Sequence, residues 1–516
     1  MEEQDPRILE LREKRKQSKQ GGGEKRIATQ HSKGKLFARE RIELLLDPGT
    51  FFELEPYTVQ RNDHMGGSGN DMTDGVVTGF GQIDNRTVYV YAQDFTIQGG
   101  ALGEMQGKKI ARLMDLAANN GCPIIGMIDS GGARIQEGVY SLGAYAEIFK
   151  RNAIYSGVVP QISIIMGPCA GGAAYSPAVT DIVIMVDKQS YMFLTGPQVI
   201  KSVTGEDVDF ESLGGAQVHL GLSGTAHLVG QDEKDAIQLA RQAVSYFPSN
   251  NAENPPKLAS SDDPNRMDEA LNHLVPIDPN APYSMHEGIE MIVDQGSFFE
   301  LQTTFAQNAI VGFARMDGMP IGIVAQEPSQ MAGVMDINSA DKIARFVRMC
   351  DAFNIPVITF IDSPGFLPGV AQEHNGVIRH GAKVLFAYSE STVPKISVTT
   401  RKSYGGAYVV LSSKFIGTDV TLAWPSAEIA VMGPGGAANI LYGKQIKDAP
   451  DPEAERERLT EEYRQAFLNP YAAARAGFVD DVIEPRETRQ RIIIALNAIK
   501  DKAISLPARK HGNIPL

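Results

Sequence analysis

A run of landmarks in the first half of this chain returns in the second half at a nearly constant offset, and no other feature constrains the fold as much. VTGFGQID at 77–84 aligns with IVGFARMD at 310–317, and the KIAR at 109–112 aligns with the KIAR at 342–345. Pro123 falls on Pro356, and IDSGGAR from Ile128 falls on IDSPGFL from Ile361, each 233 residues on (342 − 109, 356 − 123, 361 − 128). AGGA at 170–173 meets YGGA at 404–407 with an offset of 234, and TGP at 195–197 meets MGP at 432–434 with 237. Upstream, IELLLDPGTFFEL at 42–54 echoes IEMIVDQGSFFEL at 289–301 with 247. Short periods build solenoids, whereas a period above two hundred residues describes two tandem domains, each large enough for its own core. The 516 residues therefore divide into a first domain, 1–260, preceded by a helical arm at 5–20, and a second domain, 261–516.

From Val76 the pattern reads strand (VVTGF), strand (TVYVYAQDF), helix (EMQGKKIARLMDLAANN, closed by Gly121) and apolar strand (PIIGMIDS). A helix, AYAEIFKRNAIYS, and a strand, QISIIMG, follow, then the glycine-rich CAGGAAYSP. Near-continuous apolar strands between helices predict an α/β fold with parallel strands covered on both faces. The stretch 249–282, rich in Pro, Asn, Asp and Ser, breaks both periodicities and reads as an interdomain linker. PRILELREKRKQSKQ at 6–20 reads as a docking helix ended by a glycine hinge at Gly21, Gly22 and Gly23.

A net charge of −13 argues against a nucleic-acid partner, which needs clustered Lys and Arg on phosphates. The three cysteines, Cys122, Cys169 and Cys350, stand singly with no CxxC pair, so a reduced cytoplasm is expected rather than a disulfide framework or zinc ribbon. No apolar run reaches eighteen residues, and the N-terminus lacks the basic-then-apolar order of an export signal; no membrane insertion is expected.

Ligands of α/β proteins gather at the carboxyl ends of strands, where glycine lets a substrate approach backbone N–H groups. IDSGGAR and GPCAGGA both end strands with glycine; Gly132 and Gly172 are 40 residues apart, and Gly365 and Gly406 are 41 apart. Two turns per domain can form a two-donor pocket for a developing oxyanion. A lone glycine turn is more often just a tight turn, but four in two matched pairs favour the pocket. No GxSxG, HExxH or GxxxxGK[ST] occurs, which removes support for hydrolase, zinc-protease and ATP chemistry. Gly99, Gly100 and Gly103 miss GxGxxG and read as a solvated loop. His219, His227, His374 and His380 are scattered and read as packing or surface residues, so no metal is expected. Glu137 and Glu147 lack a carboxylate counterpart in the second repeat and read as structural or solvated rather than as an acid/base pair.

GKLFARERIELLLDPGTFFEL, DGVVTG, IDSGGARIQEG, GPCAGGAAYSPAVTD, IDSPGFLPG, RKSYGGAYVVLSSK, AWPSAEIAVMGPGGAANILY and NPYAAARAGFVDDVIEPRETR run nearly end to end. With them the chain resembles the carboxyltransferase subunits of biotin-dependent acyl-CoA carboxylases and decarboxylases. The resemblance implies two tandem crotonase (ClpP-like) ββα-superhelix domains, with CoA bound mainly by the first and biotin by the second. It also implies a homo-hexamer whose active sites lie at subunit interfaces. Carried over, Ala133 and Gly172, with Gly171 adjoining, match the donors to the acyl thioester oxygen; Gly365 or Phe366, with Gly406 and Ala407, match the donors to the biotin ureido oxygen. Gly131, Gly132 and Arg134 flank the first pair as substrate-binding residues. Where propionyl-CoA carboxylases carry Asp after YGGAY this chain has Val409, so the acyl group, propionyl or acetyl, is left open. The chain lacks an AMKM-type biotinyl-lysine motif and an ATP-binding carboxylase domain, so the resemblance implies that carboxybiotin arrives on a separate carrier protein and that a biotin carboxylase subunit recharges it.

Three other readings compete. The soluble α subunit of a sodium-pumping methylmalonyl-CoA decarboxylase shares the motifs. A crotonase-like hydratase or isomerase needs paired glutamates near the thioester hole, and AGGAAY and SGGARI provide none. A CoA-binding scaffold would bind without turnover, which the intact glycines at all four turns disfavour.

Overall fold

The computed structural model describes residues 5–60 and 72–516 and contains two compact units, 1–253 and 254–516. Unit 1 is built on β1 (Phe52–Leu54), β2 (Val76–Ile83), β3 (Arg86–Gln93), β4 (Ile124–Ser130), β5 (Gln161–Ala170), β6 (Ile182–Val186), β7 (Tyr191–Phe193) and β8 (Leu228–Gly230). Unit 2 repeats them as β9 (Phe299–Leu301), β10 (Ala309–Met316), β11 (Met319–Gln326), β12 (Val357–Ser363), β13 (Lys395–Tyr404), β14 (Val420–Ala423), β15 (Glu428–Ala430) and β16 (Asp481–Val482). Both sheets have one order: β1-β2-β3-β4-β5-β6-β8 with β7 beside β5, and β9-β10-β11-β12-β13-β14-β16 with β15 beside β13.

The chain dictates the change from antiparallel to parallel pairing. β2 and β3 are joined by Asp84 and Asn85, and β10 and β11 by Asp317 and Gly318, all at positive φ, which is the tight turn that returns a strand antiparallel. β3 is then linked to β4 through helix Glu104–Asn119, and a helical crossover brings the next strand in parallel. That helix buries Ile110, Leu113, Met114 and Ala117, the apolar stripe visible in its sequence. All seven residues of β4 and all seven of β12 are buried.

The repeated KIAR acquires a physical reason. Lys109 Nζ donates to the carbonyls of Thr73 and Val76, and Lys342 Nζ to those of Gln302, Phe305 and Ala309, pulling the chain entering each sheet onto the following helix. Burial pushes both ammonium groups down to about 8, and the carbonyls satisfy them in place of water.

Two expectations fail here. Residues 254–282 are not a free linker: Leu258 N donates to Gly318 O, Arg266 reaches the carbonyls of Met291 and Val293, and Leu271 enters the core of unit 2. Polar composition stopped the periodicities without stopping the packing. Gly21 and Gly22 are not a hinge either. A Cβ on Gly22 would lie 2.1 Å from Thr96 O, and its N–H donates to Thr96 Oγ1, so the glycines permit close contact with the body. The preceding helix, Pro6–Gln17, buries none of its residues. No helix among the described residues is long and apolar enough to cross a membrane.

His286, in helix Met285–Ile292, lies 3.1 Å from Glu300 and 2.9 Å from Glu327. Bonding to Glu300 and then Glu327 raises it from 6.5 to about 9. A raised histidine stabilises fully below its unfolded pKa, and that stability is lost as pH rises through the folded value. Unfolding free energy should therefore fall between pH 6.5 and about 9, and His286→Gln should flatten that slope in urea titrations across the window.

Candidate active site

β4 leaves its sheet at Ser130, and the chain turns through Gly131 and Gly132, the latter at φ 106, a conformation that favours glycine. Ala133 then forms a parallel bridge with Leu102: Leu102 N donates to Gly132 O, and Arg134 N donates to Leu102 O, both at 2.9 Å. In such a bridge the central residue directs its own N–H to the opposite side, so Ala133 presents a donor away from Leu102. β5 ends beside it at Ala170. Gly171, at φ 59, opens helix Gly172–Ala178, whose first amides have no acceptor inside the helix. A Cβ on Gly132 would lie 3.1 Å from Ala170 O, so the two turns stand side by side.

Unit 2 rebuilds this arrangement. Phe366 bridges Met335, with Met335 N donating to Gly365 O at 2.9 Å and Leu367 N to Met335 O at 2.7 Å. Gly365 has φ 132, and Gly405, at φ 56, begins helix Gly405–Val410. Ser130 Oγ and Ser363 Oγ accept the N–H groups of Gly132 and Gly365 at 3.2 and 3.4 Å. Each unit thus holds two outward amides on adjoining strand ends, an arrangement able to stabilise an oxyanion.

The pairs differ in how they are walled. A Cβ on Gly172 would meet the Tyr145 ring at 3.3 Å; one on Gly406 would meet the Phe366 ring at 3.7 Å. The ring beside the second glycine comes from helix Val139–Ile154 in unit 1, where the turn residue is the small Ala133. In unit 2 it comes from the turn itself, and the helix Val377–Glu390 supplies Gly381, 3.0 Å from that ring at its would-be Cβ. The unit 1 turn thus carries only a methyl group, whereas the unit 2 turn carries the ring itself.

A buried aspartate stands behind each turn where strand register shifts, at Ile128/Ser130 in unit 1 and Ile361/Ser363 in unit 2. Asp129 N donates to Gln93 Oε1 and Asp362 N to Gln326 Oε1, both at 3.2 Å. Lys35 Nζ sits 2.7–2.8 Å from both Asp129 oxygens, and Arg41 bridges Asp129 to Glu233. Asp362 is met by Arg401 Nε at 2.9 Å and Lys402 N at 3.0 Å.

Several expected site residues take other positions. The N–H of Gly171 donates to Phe193 O at 3.0 Å, so Gly171 shapes the turn and leaves the outward amide to Gly172. Gly131 N donates to Gly99 O at 3.1 Å. Arg134, expected against substrate, is 1% exposed and bonds Asp74 at 2.7 Å and Glu137 at 2.6 Å, so it holds the turn from behind. Arg134→Met should cost about 3 kcal/mol or more in guanidinium unfolding, because Asp74 and Glu137 would stay buried without a cation. Ala407 is buried in the first turn of its helix, and Val409 is 44% exposed on the same helix.

Glu137 is structural as expected, also accepting from Glu104 N, and Glu147 pairs with Arg151 at the surface. The solvated-loop reading of Gly99 to Gly103 is corrected. Gly100 is buried, and a Cβ on it would lie 2.0 Å from Asp129 O; Gly333 stands likewise 2.3 Å from Asp362 O. His227 Nδ1 accepts from Val183 N, and His380 pairs with Asp341. Leu102, Tyr145, Lys35 and Asp129 escaped the sequence reading, although Leu102 and Met335, and Asp129 and Asp362, stand at the same 233-residue offset as the other landmarks (335 − 102, 362 − 129).

A duplicated α/β fold with a donor pair at equivalent strand ends of each half defines a class, the acyl carboxyltransferases. The carboxyl transferase domain profile matches residues 29–514, and the chain belongs to that family. It is 56% identical over 511 residues to the carboxyltransferase subunit of propionyl-CoA carboxylase from Haloferax mediterranei, covering 99% of both chains. It is 54% identical, again over 99% of both, to methylmalonyl-CoA decarboxylase subunit alpha of Propionigenium modestum. Transcarboxylase 12S, a hexamer solved with methylmalonyl-CoA bound, superposes with a TM-score of 0.96 at 49% identity, covering 100% of this chain and 99% of the other. The chain has the duplicated crotonase-type fold and is a carboxyltransferase of the propionyl-CoA carboxylase β type.

Proposed function

We propose that the chain transfers a carboxyl group between carboxybiotin, held on a separate carrier protein, and a short-chain acyl-CoA, propionyl-CoA being favoured by the relatives. The observation that carries this is the pair of matched amide sites, one per unit, because the reaction develops negative charge on a thioester oxygen and on a ureido oxygen. Unit 1 takes the acyl thioester: the N–H groups of Ala133 and Gly172 hold its oxygen as the α-proton leaves, and the space over Ala133 admits the acyl substituent. Unit 2 suits a flat neutral ring, since the Phe366 ring stands beside Gly406 and a Cβ on Gly365 would meet nothing within 4 Å. Bound there, carboxybiotin supplies the carboxyl group and then the base for the α-proton.

The phosphates of CoA are assigned to a polar cleft of about 930 Å³ in unit 1, lined by Lys25, Arg26 and Lys33 and floored by Phe95, Thr96, Gln98 and Gly99. Assembly as a homo-hexamer, with a biotin carboxylase subunit as partner and a cytoplasmic location, completes the reading; transcarboxylase 12S assembles as a hexamer, and all three cysteines here are free. The decarboxylase α reading requires the same half-reaction and differs only in the partner that discharges carboxybiotin.

The test is decarboxylation of methylmalonyl-CoA and malonyl-CoA by the purified chain with free biotin, without ATP, followed by mass spectrometry. Biotin-dependent formation of propionyl-CoA or acetyl-CoA is expected, and their relative rates rank the acyl groups. A folded protein that binds CoA and shows no biotin dependence with either substrate rules the reading out.

A further inference from the structure

The segment around residues 24–41 faces two ways. Lys25 and Arg26, in helix Glu24–His31, and Lys33 just after it line the cleft. Two residues on, Lys35 turns inward: its Nζ lies between both oxygens of Asp129 and 4.7 Å from the centre of the Phe95 ring, which belongs to the cleft floor. Asp129 is the register-shift residue behind the turn that carries Ala133. The floor is tied to that turn a second time, by Gly131 N donating to Gly99 O.

The second repeat shows that folding does not require this route. There the equivalent aspartate, Asp362, takes its cation from the neighbouring strand, from Arg401. The position equivalent to Arg401 in unit 1 is Gly167 (401 − 234), where a Cβ would lie 2.1 Å from Asp129 Oδ1 and 2.5 Å from Lys35 Nζ. Unit 1 therefore lacks a local cation and draws one from the chain that lines the cleft. Arg401 is fixed from its own strand and by Ala281 O and the Tyr283 ring, none of which lines the cleft; Lys35 hangs from helix Glu24–His31 through its N–H on Gln30 O and lies over the Phe95 ring, both part of the cleft lining.

We infer that Lys35 is a positioning residue that couples occupancy of the cleft by the phosphates of the acyl-CoA to the geometry of the Gly131–Ala133 donor turn. This rests on the assignment of the cleft to those phosphates. Remote binding energy would then be used at the reacting carbon, so the nucleotide half of CoA raises kcat as well as lowering KM.

The experiment compares kcat and KM for methylmalonyl-CoA and methylmalonyl-pantetheine, with free biotin, in wild type, Lys35→Met and Lys35→Arg. Arg41 still neutralises Asp129 in Lys35→Met, and thermal melting checks that it is folded. Wild type should show a kcat about tenfold or more higher for the CoA thioester. In Lys35→Met the two kcat values should converge while the KM difference persists, because the cleft cations remain, and Lys35→Arg should restore part of the kcat ratio. A wild-type kcat ratio kept in Lys35→Met overturns the coupling whatever the absolute rate, since a merely structural defect lowers both substrates alike. Equal kcat and KM for the two thioesters in wild type sinks the cleft assignment and the coupling with it. Lys25→Ala with Lys33→Ala, both at the surface, gives a check independent of core packing. Loss of the kcat ratio along with a higher KM supports the coupling; a higher KM with the ratio kept overturns it.

Discussion

Gly406→Pro should lower biotin-dependent turnover by about 10²–10³-fold, the usual effect of deleting one oxyanion donor, while the melting temperature moves little. Gly406 is the second residue of helix Gly405–Val410, where an amide has no acceptor inside the helix and proline is tolerated. The preceding residue is Gly405, at φ 56, and the added Cβ would stand at ordinary contact distance from the Phe366 ring, 3.7 Å. Gly406→Ala adds the same Cβ and keeps the N–H, so it should retain most of the activity. Steady-state rates with free biotin compare the pair. Equal loss in both variants would mean that space and not the amide matters, and full activity in the proline variant would remove Gly406 from the donor set.

Gly167→Ala should be strongly damaging for a single added methyl group. Its Cβ would enter the Lys35–Asp129 pair, with Asp129 0% and Lys35 7% exposed, so neither partner can move into water. Separating a buried pair of this kind costs about 3–5 kcal/mol, and the same displacement shifts the turn carrying Ala133. Guanidinium unfolding should show that loss, and KM or kcat for the acyl-CoA should suffer before that for biotin, whose proposed site is on unit 2. A change below about 1 kcal/mol would show that β5 gives way instead and that the ion pair is not a rigid support.

The repeat was readable because both halves bury the same faces. β4 and β12 are buried along their whole lengths, and KIAR recurs because Lys109 and Lys342 each collect the carbonyls of the chain entering the sheet. The four glycine turns were readable for a related reason: each needs a positive φ, at Gly132 and Gly365 in the first turn of each unit and at Gly171 and Gly405, next to Gly172 and Gly406, in the second. Gly100 was misread because it was compared with a dinucleotide loop and not with Gly333, 233 residues on, which meets the same aspartate carbonyl. Arg134 was misread because adjacency to a donor turn does not say which side of the bridge a side chain occupies.

What the sequence determined by itself is therefore the duplicated α/β plan and the glycines of its four turns, since local backbone geometry and strand burial act on the residues where they are written. What only the tertiary structure decided is which residue fills each shared requirement. A ring must stand beside the second glycine, and Tyr145 provides it in one unit and Phe366 in the other. A cation must meet the aspartate behind the turn, and Lys35 provides it from 94 residues away while Arg401 provides it from the next strand. Space and charge have to be satisfied at a point in three dimensions, and any part of the chain that reaches the point will do; for that reason no offset in the sequence marks it.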